Sequence, residues 1–389
     1  MKRFIFAGFL GLLTLSAFAQ SNELDFYTRR FNSATTVVDQ LGVLQIAASE
    51  KPSDSGSFFT DALKRIVEEY PHLSGNQELN AADEAIRLIA DQVSTQAYAE
   101  AAPELWKAMQ TFENPVVKMD TLIALGEIGA ADYIPAIVLI LRHINLYQTD
   151  DRVAQERIAY GAIHALEKMA SGNRDAYLEV YYSVSAWYGK WVRTKANESL
   201  ASIFEDPAEP LSSTLADTYY TYKQRHGVLD SIDSNDKIST DAKANAAAIG
   251  LAEGWKNMPQ LKDMVSMRKF AIDMIAKYGA SDDYVYPLLS RSYRTPYDID
   301  EQLRTVHALS TLKNEQSANL LASFVEMCNY RCERGSLRDA DERLMRALIP
   351  ALGATGGSDN GNIALQRVLD IQQWTNVIHN LASKALKKE

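Results

Sequence analysis

The sequence predicts an all-α chain, a right-handed α-solenoid of stacked antiparallel helix pairs. Three observations predict it. A unit made of a helix end, a short Gly/Ala turn and a helix start is clearest over 120–141 and returns in altered form along the chain. Units that bury their faces only against neighbours build an array growing in one direction. Apolar residues recur at helical spacing, and no run of any length alternates as a half-buried strand does. The 389 residues also exceed what one compact core usually organises, a limit that does not apply to an array.

The N-terminus reads as a targeting segment. Lys2 and Arg3 precede an apolar run from Phe4 to Phe18, and Ala17-Phe18-Ala19 is a small-x-small cleavage site, so 1–19 is expected to be a signal peptide and the mature chain to begin at Gln20. A retained anchor is the alternative, but the run falls short of the ~20 residues that span a bilayer. No Cys follows the cleavage site, which argues against a lipoprotein, and the short basic and apolar regions have bacterial proportions. The expected location is periplasmic or secreted. Removing Lys2 and Arg3 from the 40 basic residues leaves 38 against 50 acidic ones, a net charge of −12. That balance argues against nucleic acid and against docking on anionic lipid. No later stretch is apolar enough to cross a membrane.

After cleavage, 20–57 is expected to be an N-terminal helix and loop. One long helix spans 23–49, with Phe31, Ala34, Val38, Leu41 and Leu44 on a face, and 51–57 is a loop by composition. Helices follow over 58–70, 79–93 and 99–112. At Asn114-Pro115 an N-cap and a first-position proline open the best-defined unit. Val117, Thr121, Ala124, Leu125 and Ile128 form its buried stripe, and Gly129 suits the left-handed residue that ends a helix. Asp132 is expected to cap the next helix, with Pro135 in its first turn and Ile134, Ile137, Val138, Leu141 and Ile144 buried. The same grammar places Asp150 or Asp151 before 153–169, Ser281 or Asp282 before 284–293, and Asp339 or Asp341 before 344–352.

The anchor of each unit is an apolar pair: Ala124-Leu125, Ala165-Leu166, Ser199-Leu200, Met274-Ile275, Ala308-Leu309 and Ala351-Leu352. The steps are 41, 34, 75, 34 and 43 residues, so one degenerate unit is expected between Asp206 and Met264. Asp206-Pro-Ala-Glu-Pro210 and the polar 230–236 read as breaks around it, before a helix over 240–254. The chain thus divides into repeats over 58–204, an irregular repeat with loops over 205–263, and repeats with a C-terminal cap over 264–389.

The phrase Asn114-Pro115-x-Val117 followed by Ala124-Leu125-Gly126-x-Ile128-Gly129 resembles the HEAT-repeat family, particularly its short-repeat variant also found in phycobilin-lyase-like proteins. The resemblance is strongest over 114–145, covers 151–204 and 264–330 less closely, and is weak over 338–387. Lys118 stands where many such repeats carry Arg, and the middle units lack the usual Asp ladder. The resemblance implies a scaffold that binds another protein or an extended peptide.

Motifs for chemistry are sparse. There is no H-E-x-x-H, G-x-S-x-G or G-K-[ST] loop. His72, His143, His164, His226, His307 and His379 are scattered, although His164 and His307 occupy equivalent slots before their anchors. The 230–236 carboxylates lack the Gly and terminal Glu of a calcium loop, and 353–361 has the glycines of a phosphate cradle without its strand or Lys. No cofactor or metal is expected, and catalytic residues are none. Cys328 and Cys332, at i and i+4, suit either a local disulfide or two free thiols.

Aromatic residues are the exception. Tyr177, Tyr181, Tyr182, Trp187, Tyr188 and Trp191 fall close together, and Tyr219, Tyr220 and Tyr222 follow. Tyr177, Tyr181 and Tyr188 share a helical face that suits a core. Tyr182, Trp187 and Trp191 are the candidate partner-binding residues, since Tyr and Trp concentrate at binding hot spots. The expected function is a non-enzymatic exported scaffold or adaptor. A cell-wall glycan-binding module and a subunit of a large envelope assembly, such as a motor-associated ring, are the alternatives. An enzyme of lyase or hydrolase type has no residue set behind it.

Overall fold

The computed structural model describes residues 24–50, 52, 54–218, 220–257, 259–280, 282–355 and 358–387, and no strand occurs among them. The expected signal peptide, Tyr219, Ser281 and Gly356-Gly357 lie outside the described residues. The chain separates into two compact units that divide between Glu205 and Asp206.

In the first unit α1 (24–33) is followed by α2 (Val37–Glu50), α3 (Gly56–Glu69), α4 (Asn76–Thr95), α5 (Ala102–Thr111), α6 (Pro115–Glu127), α7 (Ile134–Leu146), α8 (Arg152–Met169), α9 (Arg174–Ser185) and α10 (Lys190–Ile203). From α3 on, the helices pack in sequential pairs, α3 with α4 through α9 with α10. Contacts also run in series: α2, α4, α6, α8 and α10 pack successively, as do α3 with α5 and α7 with α9.

The second unit holds α11 (Ala208–Ala216), α12 (Tyr222–Ser234), α13 (Thr240–Glu253), α14 (Lys262–Tyr278), α15 (Val285–Arg294), α16 (Ile299–Leu312), α17 (Glu315–Glu333), α18 (Asp341–Ala354), α19 (Asp359–Asp370) and α20 (Asn376–Leu386). Its helices pair in the same way, and its even and odd members form two series of successive contacts.

The anchors account for this packing. Ala124, Leu125, Ala165, Leu166, Met274, Ile275, Ala308, Leu309, Ala351 and Leu352 are all buried. In the degenerate copy Ser199 takes the buried slot and Leu200 is only half-buried. At α6 the Asn114 side chain accepts the Val116 N–H (2.9 Å). Its far end closes on Gly129 at φ +73°, with Gly129 N–H donating to Gly126 O (3.1 Å) and Ala130 N–H to Leu125 O (3.0 Å). That paired geometry satisfies two terminal carbonyls and needs a left-handed residue.

Several expectations are corrected. The helix expected over 23–49 is two, because Thr36 opens α2: its hydroxyl accepts the Asp39 N–H (3.1 Å) and donates to the Asp39 carboxylate (2.8 Å). A capping pair of this kind starts a new helix rather than continuing the old one. Asp132 does not cap α7; the chain makes a 3₁₀ turn over Ala131–Tyr133 and Tyr133 takes the cap position. Tyr284 and Ala340, rather than Asp282 and Asp339, precede α15 and α18. Asp341 lies inside the first turn of α18, buried, accepting the Arg338 N–H (2.9 Å) beside Arg331 Nε (3.3 Å). The polar 230–236 stretch is mostly helical, since α12 buries Val228, Leu229 and Ile232, leaving Asp230 exposed and Asp233 half-buried against α14. The 353–361 loop shrinks likewise: Gly353 belongs to α18, and Ser358 caps α19 through the Gly361 N–H (3.0 Å).

A fully buried ion pair sits in the second unit. Arg268 Nε and Nη2 donate to the two Glu301 oxygens (2.9 and 3.2 Å), Nη1 donates to Gly254 O (2.9 Å), and the guanidinium lies 4.1 Å from the Trp255 ring centroid.

Candidate functional site

The aromatic segment forms the C-terminal part of α9, the connection over 186–189 and the start of α10. Its members divide by environment. Tyr177 and Tyr188 are buried. Tyr188 donates its hydroxyl to Asn145 Oδ1 (2.8 Å), and burial pushes its phenol well above the ordinary tyrosine range. Tyr182 belongs to α9, where its ring meets Tyr181 edge to face at 5.5 Å. Trp187 is half-buried. Its Nε1 donates to Ile144 O (3.0 Å) in the last turn of α7, and the Arg152 guanidinium lies 5.5 Å from its ring. Trp191 is 43% exposed.

Two residues of α8 hold the connection. The Glu156 carboxylate accepts the Gly189 N–H on Oε1 (2.7 Å) and the Trp191 Nε1–H on Oε2 (2.9 Å). Arg152 Nη2 donates to the Trp187 carbonyl (2.8 Å). Gly189, the N-cap residue of α10, offers no side-chain cap. The carboxylate from α8 takes the N–H that a capping box would serve and places a negative charge at the helix start. One turn on from Glu156, the Tyr160 ring stacks on Trp191 at 4.9 Å.

An open groove of about 660 Å³ lies against this stack, lined by Met119 of α6, Tyr160 of α8, and Lys190, Trp191, Thr194, Lys195 and Glu198 of α10. Lys195 is ion-paired with Glu167 of α8. On the other side of α6 a second groove of about 400 Å³ is lined by residues including Glu84, Arg87, Asp91 and Ser94 of α4 and Asp120 and Ile123 of α6. The two grooves open along one series of helices, and polar contacts cross it throughout. Gln45 donates to Glu84 (2.9 Å), Arg87 Nε to Asp120 (2.7 Å), and Lys168 Nζ lies 3.2 Å from Glu127, which also meets His164 Nε2 at 2.7 Å. The His164 bond is the first cause of a Glu127 carboxyl held below its ordinary range. Each such exposed pair is worth only ~0–1 kcal/mol, so their value is in fixing which side chains face the grooves.

Among the candidate residues named from sequence, the groove includes Trp191, while Trp187 secures the connection and Tyr182 packs beside Tyr181. Arg152, Glu156 and Tyr160 were missed; the four-residue spacing of Glu156, Tyr160, His164 and Lys168 marks one face of α8 and was their signal. His164 pairs with Glu127 and His307 is exposed, so the two equivalent slots have different surroundings. Asp233, within the polar 230–236 stretch, accepts from Lys277 Nζ (2.9 Å) and the Tyr278 hydroxyl (2.7 Å). Among the described residues no group of three or more His, Cys, Asp or Glu is placed to hold a metal ion, and no helix is long and apolar enough to cross a membrane. Cys328 and Cys332 are free, buried thiols within α17. Burial pushes both thiols up, and the Tyr293 hydroxyl lies 4.0 Å from Cys328 Sγ. No family model matches the chain, and no curated protein matches its sequence.

Proposed function

We propose that this chain is a non-enzymatic scaffold, a solenoid of the HEAT-repeat kind exported into the bacterial envelope, which holds another protein through an extended segment. One observation carries the reading. The even-numbered helices of the first unit present two adjoining grooves, one of them floored by a stacked aromatic pair in which the Trp191 indole is held by a hydrogen bond. A pinned aromatic face costs little further ordering on binding, which is what a hot spot requires. The grooves hold carboxylates, lysines, Arg87 and the hydroxyls of Ser94, Tyr160 and Thr194, an arrangement suited to recognition.

Site-specific photo-crosslinking in cells tests it. A photoreactive residue at Thr194 or Asp91 is expected to capture one and the same protein, while Lys107 on α5 and Asp175 on α9 capture none. Equal capture from all four positions would refute a binding face on the even helices. N-terminal sequencing of the exported protein tests the location, with Gln20 the expected first residue.

The half-exposed indole of Trp191 also favours a second reading, stacking on a sugar ring of the cell-wall glycan. Retention on purified peptidoglycan, abolished by Trp191→Ala, is its test.

A further inference from the structure

The two grooves meet at α6: Met119 lines the one shared with α8 and α10, and the next residue, Asp120, lines the one shared with α4. They differ in chemistry. The first offers the Tyr160–Trp191 stack with Lys190 and Lys195 against Glu198. The second offers Glu84, Asp91 and Asp120 against Arg87. Lys195 is engaged by Glu167 of α8, so Lys190 is the cation this groove offers beside Trp191, whereas the α4 groove keeps the acidic sign of a chain whose formal net charge is −10.

We infer that a single extended peptide segment crosses α8 and α6 and fills both grooves, with an aromatic or large apolar residue and an adjacent carboxylate at Trp191 and Lys190, and a basic residue in the α4 groove. The inference rests on the scaffold reading and adds the chemistry of the occupant and the order of its anchors. Trp191 and Lys190 stand on α10 and the acidic groove lies between α6 and α4, two to three helices away in the series; at ~8–10 Å between packed helices and ~3.3 Å per extended residue, the apolar and basic anchors stand about six to eight residues apart. Charge complementarity fixes the order of the anchors, because a segment with its two charges exchanged sets like charges against each other in both grooves. A neutral glycan would satisfy the aromatic stack but leave the charge difference between the grooves without a use.

The test is fluorescence anisotropy on the full mature chain. The probes are a labelled peptide of order Asp-Phe, six Ser and Lys, the same peptide with Asp and Lys exchanged, and an unlabelled N-acetylglucosamine hexamer as competitor. The first peptide is expected to bind about tenfold more tightly than the charge-exchanged one, and Lys190→Glu or Asp91→Lys to weaken it about tenfold each. Both positions are exposed, so the variants should fold, and the double variant is expected to prefer the charge-exchanged peptide. Equal binding of the two peptides, binding of neither, no switch in the double variant, or displacement by the hexamer would each overturn the inference. Crosslinking from Thr194 and Asp91 separates the two levels. Capture of a protein alongside peptide failure removes only the proposed occupant, whereas loss of capture at both positions removes the scaffold reading as well.

Discussion

A close approach between α6 and α8 gives a prediction whose sign can be worked out. An added Cβ on Gly126, in the interior of α6, would stand 2.6 Å from the Ala165 Cα and 3.3 Å from its Cβ. Gly161 on α8 meets the same interface from the other side, where an added Cβ would stand 2.8 Å from the Met119 carbonyl oxygen. These obstacles are backbone atoms that cannot rotate away, so Gly126→Ala must push α6 and α8 apart by about 1 Å to restore ordinary carbon contacts near 3.5–4.0 Å. Overpacking of this kind costs ~1–3 kcal/mol, against a helix-propensity gain of ~1 kcal/mol for Gly to Ala. Gly42 in α2 is the control, because its added Cβ meets nothing within 4 Å. Gly42→Ala should therefore stabilise and Gly126→Ala destabilise, the pair separating by about 2 kcal/mol, or about 4–8 °C in Tm for a cooperative unit of this size. Thermal unfolding followed by circular dichroism reads both. A Gly126→Ala variant that rises in Tm alongside Gly42→Ala would refute the close-packed α6–α8 interface, and with it the position of Met119 in the groove.

Other expectations follow from buried polar groups. Glu301→Ala leaves the fully buried Arg268 guanidinium uncompensated and should cost ~3–5 kcal/mol, while the paired replacement Arg268→Met with Glu301→Leu should cost far less; equal urea midpoints for the two would contradict this. Burial holds the Glu179 carboxyl above the usual carboxylate range despite Arg142 at 2.6 Å. The folded chain then takes up a proton before the unfolded one as pH falls, so stability relative to Glu179→Gln should rise through the acid window between the unfolded and folded pKa values, and a pH-independent difference would be inconsistent with it. Cys328 and Cys332 should resist a bulky maleimide in the native state and both label in denaturant. A mass showing two fewer labels after denaturation would instead reveal a disulfide.

What the sequence made legible was what neighbours along the chain decide. Helical spacing located the anchor pairs, and side chains such as Asn114 and Asp151 cap α6 and α8 as their positions suggested. Thr36 was overlooked because Thr and Asp three residues apart within an apolar run look like ordinary surface positions, although together they cap a helix. The groove was only partly legible. Trp191 stood out by composition, but Met119 and Tyr160 come from other helices, and Glu156 reaches Gly189 across 33 residues. No local pattern encodes which helix a carboxylate will cap.

That connection between α9 and α10 also shows why function is sought there. Ser or Asp at position 189 would gain roughly a few tenths of a kcal/mol over glycine from its own cap. Glycine stands there instead, and an added Cβ would come within 3.2 Å of the Glu156 carboxylate. Local capping has been exchanged for a long-range contact that also secures the Trp191 indole, while Trp187 serves the Ile144 carbonyl in the last turn of α7. Departures from local consistency of this kind concentrate where a protein has something besides stability to achieve. The result here is an exposed indole backed by Tyr160 and held through its only hydrogen-bond donor, so its rotamer is set before any partner arrives. A connection whose sole purpose was to join two helices would gain nothing from fixing the orientation of a side chain that faces solvent.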